Sequence, residues 1–110
     1  MYERDRLKTR IWVQAQLRLC DSQGIPFVVR RRGDDDAGTV LLVIDSLDGE
    51  LRVLSQTRTL EGELAWSEKR LASRDELDAH IERQLDFDPD IWVIEVEDAA
   101  GLYRVDGKVI

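Results

Sequence analysis

The densest run of chemically capable side chains is Arg30-Arg31-Arg32-Gly33-Asp34-Asp35-Asp36-Ala37-Gly38. Three guanidiniums are followed across one glycine by three carboxylates. If the arginines end a β-strand, alternation puts Arg30 and Arg32 on one face and Arg31 on the other. Two guanidiniums on one face can clamp a carboxylate or phosphate bidentately. Arg30, Arg32 and Asp34 are therefore the candidate ligand-binding residues, with a small anion as the implied ligand. The competing reading is a solvated strand end and a turn in which Asp side chains accept hydrogen bonds from nearby backbone N–H groups. Calcium loops alternate their aspartates and add a distant glutamate. The contiguous Asp34–Asp36 do not, and the adjacent arginines repel a divalent ion, so no metal is expected.

Elsewhere the chemistry is sparse. Asp88, Asp90, Glu95, Glu97 and Asp98 would serve acid–base catalysis only if two carboxyls sat in different environments at a set separation. The plainer reading is a helix stop, a strand start and exposed strand positions. His80 is the sole histidine and is expected partly exposed on a helix. Cys20 is the sole cysteine, so no internal disulfide can form, and a buried inert thiol is expected. Trp12, Trp66 and Trp92 occupy core-like positions rather than a cation-interleaved stacking platform for bases. No Gly-x-Ser-x-Gly, Gly-x-Gly-x-x-Gly or Walker-type run occurs. No catalytic residue, metal ligand or cofactor is nominated, and an enzyme of unrecognised type is the class left over.

Composition bounds the scaffold that must position these groups. At 110 residues and 43% hydrophobic content, one domain spanning 1–110 with one core is expected. The net charge of −7 conceals an asymmetry. Residues 1–32 carry eight Lys/Arg against three acids, net +5; residues 33–110 carry eight against twenty, net −12. That balance argues against a nucleic-acid or anionic-membrane partner. It suggests instead that the basic segment folds against the acidic remainder. No apolar run reaches about 18 residues, and the start Met1-Tyr2-Glu3-Arg4-Asp5-Arg6 lacks the apolar stretch of a secretion signal. A cytoplasmic location is the expectation.

The spacing predicts a helix from about Asp5 to Ser22, with Leu7, Ile11, Ala15 and Leu19 at four-residue intervals beside Trp12. Val13, Leu17 and Cys20 form a second apolar ridge round the helix. A helix with two such ridges is wedged deep in its own domain or touches a second body. Val13, Leu17 and Cys20 are accordingly the candidate interface, with a homodimer or protein partner implied. Strands are predicted over Phe27–Arg32, Thr39–Leu47, Leu51–Thr59 and a short edge strand Glu63–Ser67. The run Val40-Leu41-Leu42-Val43-Ile44 suits a central strand covered on both faces. Asp48-Gly49 predicts a type I′ hairpin turn. Ser73 and Glu76 form a capping-box pair, opening a second helix with the stripe Leu77, Ile81, Leu85 that Asp88-Pro89 ends. Ile91–Glu97 and Leu102–Val105 are read as a final hairpin. The expected class is α+β, an antiparallel meander of five to six strands with two helices mainly on one face, ordered α-β-β-β-β-α-β-β.

Three segments together resemble a family of short bacterial proteins whose domain has no known function. They are Arg6-Leu7-Lys8 leading into Ile11-Trp12-Val13-Gln14-Ala15; Arg31-Arg32-Gly33-Asp34 through Asp36-Ala37-Gly38; and Phe87-Asp88-Pro89-Asp90-Ile91-Trp92-Val93-Ile94-Glu95-Val96-Glu97-Asp98. The likeness spans nearly the whole chain, leaving out Met1–Asp5 and the tail after Tyr103. It implies a stand-alone bacterial domain and carries over no site residue. The expected function is a non-enzymatic binding or adaptor module that self-associates through the first helix; the alternative is a small-anion or phosphate-binding protein.

Overall fold

The computed structural model describes residues 8–110. The expected helix start at Asp5, and Leu7 with it, lie outside the described residues. The elements run α1 (Thr9–Ser22), β1 (Phe27–Arg31), β2 (Val40–Asp45), β3 (Leu51–Arg58), β4 (Leu64–Leu71), α2 (Arg74–Phe87), β5 (Trp92–Glu97) and β6 (Lys108–Val109). The class is α+β. The six strands form one sheet in the order β1-β5-β2-β3-β4-β6.

The meander expectation holds for β2, β3 and β4, which pair antiparallel through short loops. It fails for β5, which inserts between β1 and β2 and runs parallel to β2. The reason is α2. A helix returns the chain along the sheet, so the strand after it points the same way as the strand before it, and β5 therefore aligns with β4 and β2. The helices are also not on one face. Leu42, Ile44, Trp92, Ile94 and Val96 pack with Trp12, Val13 and Cys20 of α1. Leu41, Val43 and Val93 pack with Leu77 of α2, flanked by Ile81 and Leu85. Every residue of β2 is buried, because alternate side chains feed two cores, as its unbroken apolar run requires.

The buried arc of α1 is Thr9, Trp12, Val13, Gln16 and Cys20. Apolar spacing alone favours Ile11, Ala15 and Leu19, yet Ile11 and Leu19 are 39% and 53% exposed. The buried arc holds two polar residues that a hydrophobic count passes over. Thr9 Oγ1 donates to the Gly38 carbonyl at 2.6 Å and Gln16 Oε1 accepts from Tyr103 Oη at 2.9 Å. With those demands met, Trp12 and Val13 turn inward together.

Two local expectations change. The β2–β3 loop has positive φ at Leu47 (62°) and Gly49 (100°), not at Asp48 and Gly49. It is a wider loop, pinned where Asp45 Oδ1 accepts the Leu47 N–H at 2.8 Å. Leu102–Val105 is not a strand. The Asp98 carboxylate accepts the N–H groups of Leu102 and Tyr103, each at 2.9 Å, drawing both from any ladder. The chain then crosses the sheet on the α1 side, with Tyr103 in the core, and β6 joins β4 in parallel. So β4 is no edge strand.

The start of α2 is as expected. Ser73 Oγ accepts the Glu76 N–H at 3.2 Å, while Glu76 Oε1 reaches the Ala72 N–H, one residue short of the reciprocal cap. Asp88 closes the helix ahead of Pro89. Among the described residues no helix is long and apolar enough to cross a membrane. Replacing Ser73 by Ala removes one satisfied helix-end donor and is expected to lower stability by about 1 kcal/mol, read as an earlier urea midpoint with an unchanged slope.

Candidate functional site

Strand β1 does not deliver Arg30 and Arg32 to one face. Its register with β5 shifts between Val29 and Arg31, a bulge that adds one residue and reverses the alternation beyond it. Arg30 lies on the α2 side, its guanidinium 3.1 Å from Glu95 Oε1. Arg32 lies on the other side, 5.7 Å above the Trp92 ring, and chelates Asp35 Oδ1 and Oδ2. Arg31 donates to the Ile91 carbonyl at 3.0 Å. The three arginines diverge, and each has a partner within the chain.

Asp34 supports its own loop. Its Oδ2 accepts the N–H groups of Asp36 (3.2 Å) and Ala37 (2.8 Å), while its backbone N–H donates to Asp90 O and its carbonyl accepts Trp92 Nε1 at 2.7 Å. The loop carbonyls of Asp35 and Asp36 in turn accept the Arg10 and Thr9 N–H groups at the start of α1. Free N–H groups at a helix start are the usual anion attractors; here the loop backbone takes these two. Gly33 and Gly38 sit against Asp90. A Cβ on Gly38 would be 2.6 Å from the Asp90 oxygen, and one on Gly33 would overlap that oxygen and crowd the Trp92 ring. The 31–38 and 87–98 segments thus form one clasp that holds α1 to the sheet.

A second polar centre joins Glu95 to two residues, Asp45 and Arg74, that no sequence motif singles out. Glu95 and Asp45 are 5% and 8% exposed on the α2 side of β5 and β2. Arg74, the first residue of α2, donates to both Glu95 oxygens and to Asp45 Oδ2 (2.8 Å). Hydrogen bonding to Arg74, reinforced by Arg30, holds the Glu95 carboxyl below the usual range against the opposing effect of burial. The expectation of an exposed Glu95 is thus corrected. The clue is its place inside the apolar run Trp92-Val93-Ile94-Glu95-Val96, where either face of the strand would be covered. Asp98, also expected at an exposed position, is buried as the turn acceptor described above.

His80 is buried too, not partly exposed, and its Nε2 has no hydrogen-bond partner among the described residues. Burial first, then the charges of Lys69 and Arg83, lower its pKa. Burial, with Asp98 nearby, raises the Cys20 thiol, as expected of an inert cysteine. Val13 and Cys20, nominated for an interface, belong to the core at 5% and 1% exposure, whereas Leu17 is 44% exposed. Among the described residues no three metal-ligating side chains gather.

On the α1 side, between the start of that helix, the 36–39 loop, the end of β3 and Asp106, lies a cleft of about 520 Å³. The Trp12 indole N–H donates to both oxygens of Asp106 (3.1 and 3.2 Å), and Trp66 Nε1 donates to the Asp106 carbonyl at 2.6 Å. The two indoles stand 5.7 Å apart. Gln56 Oε1 accepts the Val40 N–H at 2.9 Å on the floor of the cleft.

Gly33→Ala sets a methyl against backbone atoms and should cost about 1–3 kcal/mol, read by chemical denaturation. Acid should weaken the fold in two stages. Because the folded-state pKa of His80 lies below 6.5, the unfolded chain binds its proton first, and stability falls as pH drops below about 6.5. Glu95 and Glu68, both held below 4.5 by arginines, add a second loss below that value. Urea midpoints against pH should show His80→Leu removing the first decline and Glu95→Gln shrinking the second.

Comparison with known proteins agrees with the overall fold. The model of the family described as "Protein of unknown function (DUF1491)" matches residues 7–106, extending past Tyr103 to the indole-binding Asp106. A crystal structure of a DUF1491 family protein from Caulobacter crescentus CB15 superposes with a TM-score of 0.85 at 37% identity, covering 96% of this chain and all of that one. An NMR structure of a DUF1491 family protein from the same organism gives 0.80 at 38% identity, covering 94% and 96%. The solution structure of protein Atu0922 from A. tumefaciens gives 0.72 at 25% identity, covering 84% and 86%. Among curated proteins none matches. With 100 consecutive positions matched by its model, the chain belongs to the DUF1491 family, a family of unknown function.

Proposed function

We propose that the chain is a non-catalytic binding module that self-associates, with the exposed part of α1 as the contact. The observation that carries this reading is the apolar side chains α1 leaves exposed on the two flanks of its buried arc: Ile11 and Leu19 on one, at 39% and 53%, and Leu17 on the other, at 44%. Ile11, Ala15 and Leu19 succeed one another at single turns, and Leu17 lies one turn beyond buried Val13. On the neighbouring edge strand β1, exposed Val29 adds to this apolar surface on the α1 side. By contrast, α2 covers most of its outward surface with Asp75, Glu76, Asp78, Glu82 and Arg83, the ordinary dress of a solvated helix, and exposes one large apolar residue, Phe87, at its last position.

The internal use of charge supports a module without catalysis. Glu95, Asp45, Arg74 and Asp34 are all held by partners inside the chain, so none of these carboxylates stands ready as a general acid or base. A second copy is the favoured occupant because the sequence is divided in charge. Lys8, Arg30 and Arg32 of the +5 segment are paired within the chain, while Arg10 and Arg18 on α1 complement the acidic surface of the −12 remainder. A two-fold pair, offset so that each basic side meets the other's acidic surface, satisfies both copies at once.

Sedimentation velocity at micromolar concentration should show a dimer that Leu17→Asp or Leu19→Asp converts to a monomer with unchanged circular dichroism. A chain monomeric throughout that range, and unaffected by either substitution, would remove this reading.

A further inference from the structure

The cleft beside Asp106 carries a separate inference. Its volume of about 520 Å³ falls within the roughly 300–1,000 Å³ of small-molecule sites. Its lining mixes both signs of charge. Lys8 and Arg58 are the cations, Asp36 and Asp106 the carboxylates, with Thr57 and Leu64 also in the lining. The cations are weakly engaged. Lys8 meets Asp36 only at 3.9 Å, with both side chains more than 60% exposed. Arg58 gives one guanidinium nitrogen to the Gly62 carbonyl at 3.2 Å, and no carboxylate pairs with it among the described residues. The rest of its planar fork suits a carboxylate. Asp106, in contrast, is held in place by the Trp12 indole. It is an oriented acceptor with lone pairs left over, suited to an ammonium or amide donor.

We propose that this cleft binds a small zwitterion of the amino-acid type, its carboxylate on Arg58 and Lys8 and its ammonium on Asp106. A bare anion is the poorer fit, because two carboxylates line the same cleft and repel it. The Arg30 and Arg32 pair is the poorer place for any anion, because its guanidiniums lie on opposite faces and each already holds an acid. A free amino acid and the ends of a short peptide share the required chemistry, and the volume admits either.

The indoles supply the test. Trp12 and Trp66 both donate to Asp106, whereas Trp92 donates to the Asp34 carbonyl within the clasp. In ¹⁵N-resolved spectra of the full chain, millimolar L-leucine or leucyl-glycine should move the Trp12 and Trp66 indole resonances and leave that of Trp92 in place. N-acetyl-leucine, without the ammonium, and leucinamide, without the carboxylate, should each shift them far less. Arg58→Ala should weaken the response at least tenfold, with an unmoved Trp92 resonance reporting an intact fold. The stronger of leucine and leucyl-glycine identifies the source. No movement with either zwitterion, an equal response in Arg58→Ala, or inorganic phosphate acting as strongly as leucine would each overturn the assignment.

Discussion

Two central strands that bury both faces set the terms for everything else. With β2 and β5 side by side and parallel, each alternate side chain needs an apolar cover, and one helix supplies it on each side. The chain must therefore cross the sheet twice. It does so once through α2 and once through the irregular segment from Asp98 to Gly107. The first crossing is a helix that meets its own backbone hydrogen-bonding needs. The second has none of that self-sufficiency, so its polar groups are met by specific side chains: Asp98 for the turn, Gln16 for the Tyr103 hydroxyl, and two indoles for Asp106.

The same constraint explains the buried charges. A strand covered on both faces has no solvated side to which Glu95 could turn. Its ionised state rests on Arg74 and Arg30, whose outer portions remain in water (47% and 55% side-chain exposure). That lessens what the cluster adds to stability, yet removing the arginines would leave the Glu95 charge in a covered position. Arg74 also opens α2, so the helix that covers one core is registered to the sheet by the acids it neutralises.

Much of this is legible in the sequence where local chemistry decides. The Ser73 cap, the Asp88-Pro89 stop and the two-sided Val40–Ile44 strand each depend on neighbours along the chain. Most of the expectations that fail have a deciding partner far away in sequence; the β2–β3 loop and the segment after Asp98 turn instead on the nearby acceptors Asp45 and Asp98. Thr9 and Gln16 face inward because Gly38 and Tyr103 await them, so α1 turns by part of a revolution from the arc its apolar spacing favours. One inserted residue in β1 separates Arg30 from Arg32, and no feature of the triplet announces a bulge. The placement of β5 beside β2 depends on what α2 can span. For the candidate cleft, Trp12 and Asp106 are 94 residues apart, a pairing that no motif spacing could suggest.

That last separation also bears on how the domain comes into being. The first helix completes its surroundings only when the segment around Asp106 arrives, since that residue receives the indoles of Trp12 and Trp66, and β6 docks on β4 beyond it. Contacts that close so long a stretch of chain into one loop are slow to form. A chain emerging from the ribosome cannot make them until Asp106 and β6 have cleared the exit. Until then, Trp12 and Val13 lack part of their cover, and the nascent protein presents apolar surface that the finished one hides. The cover of α1 is therefore completed only once the last strand is available.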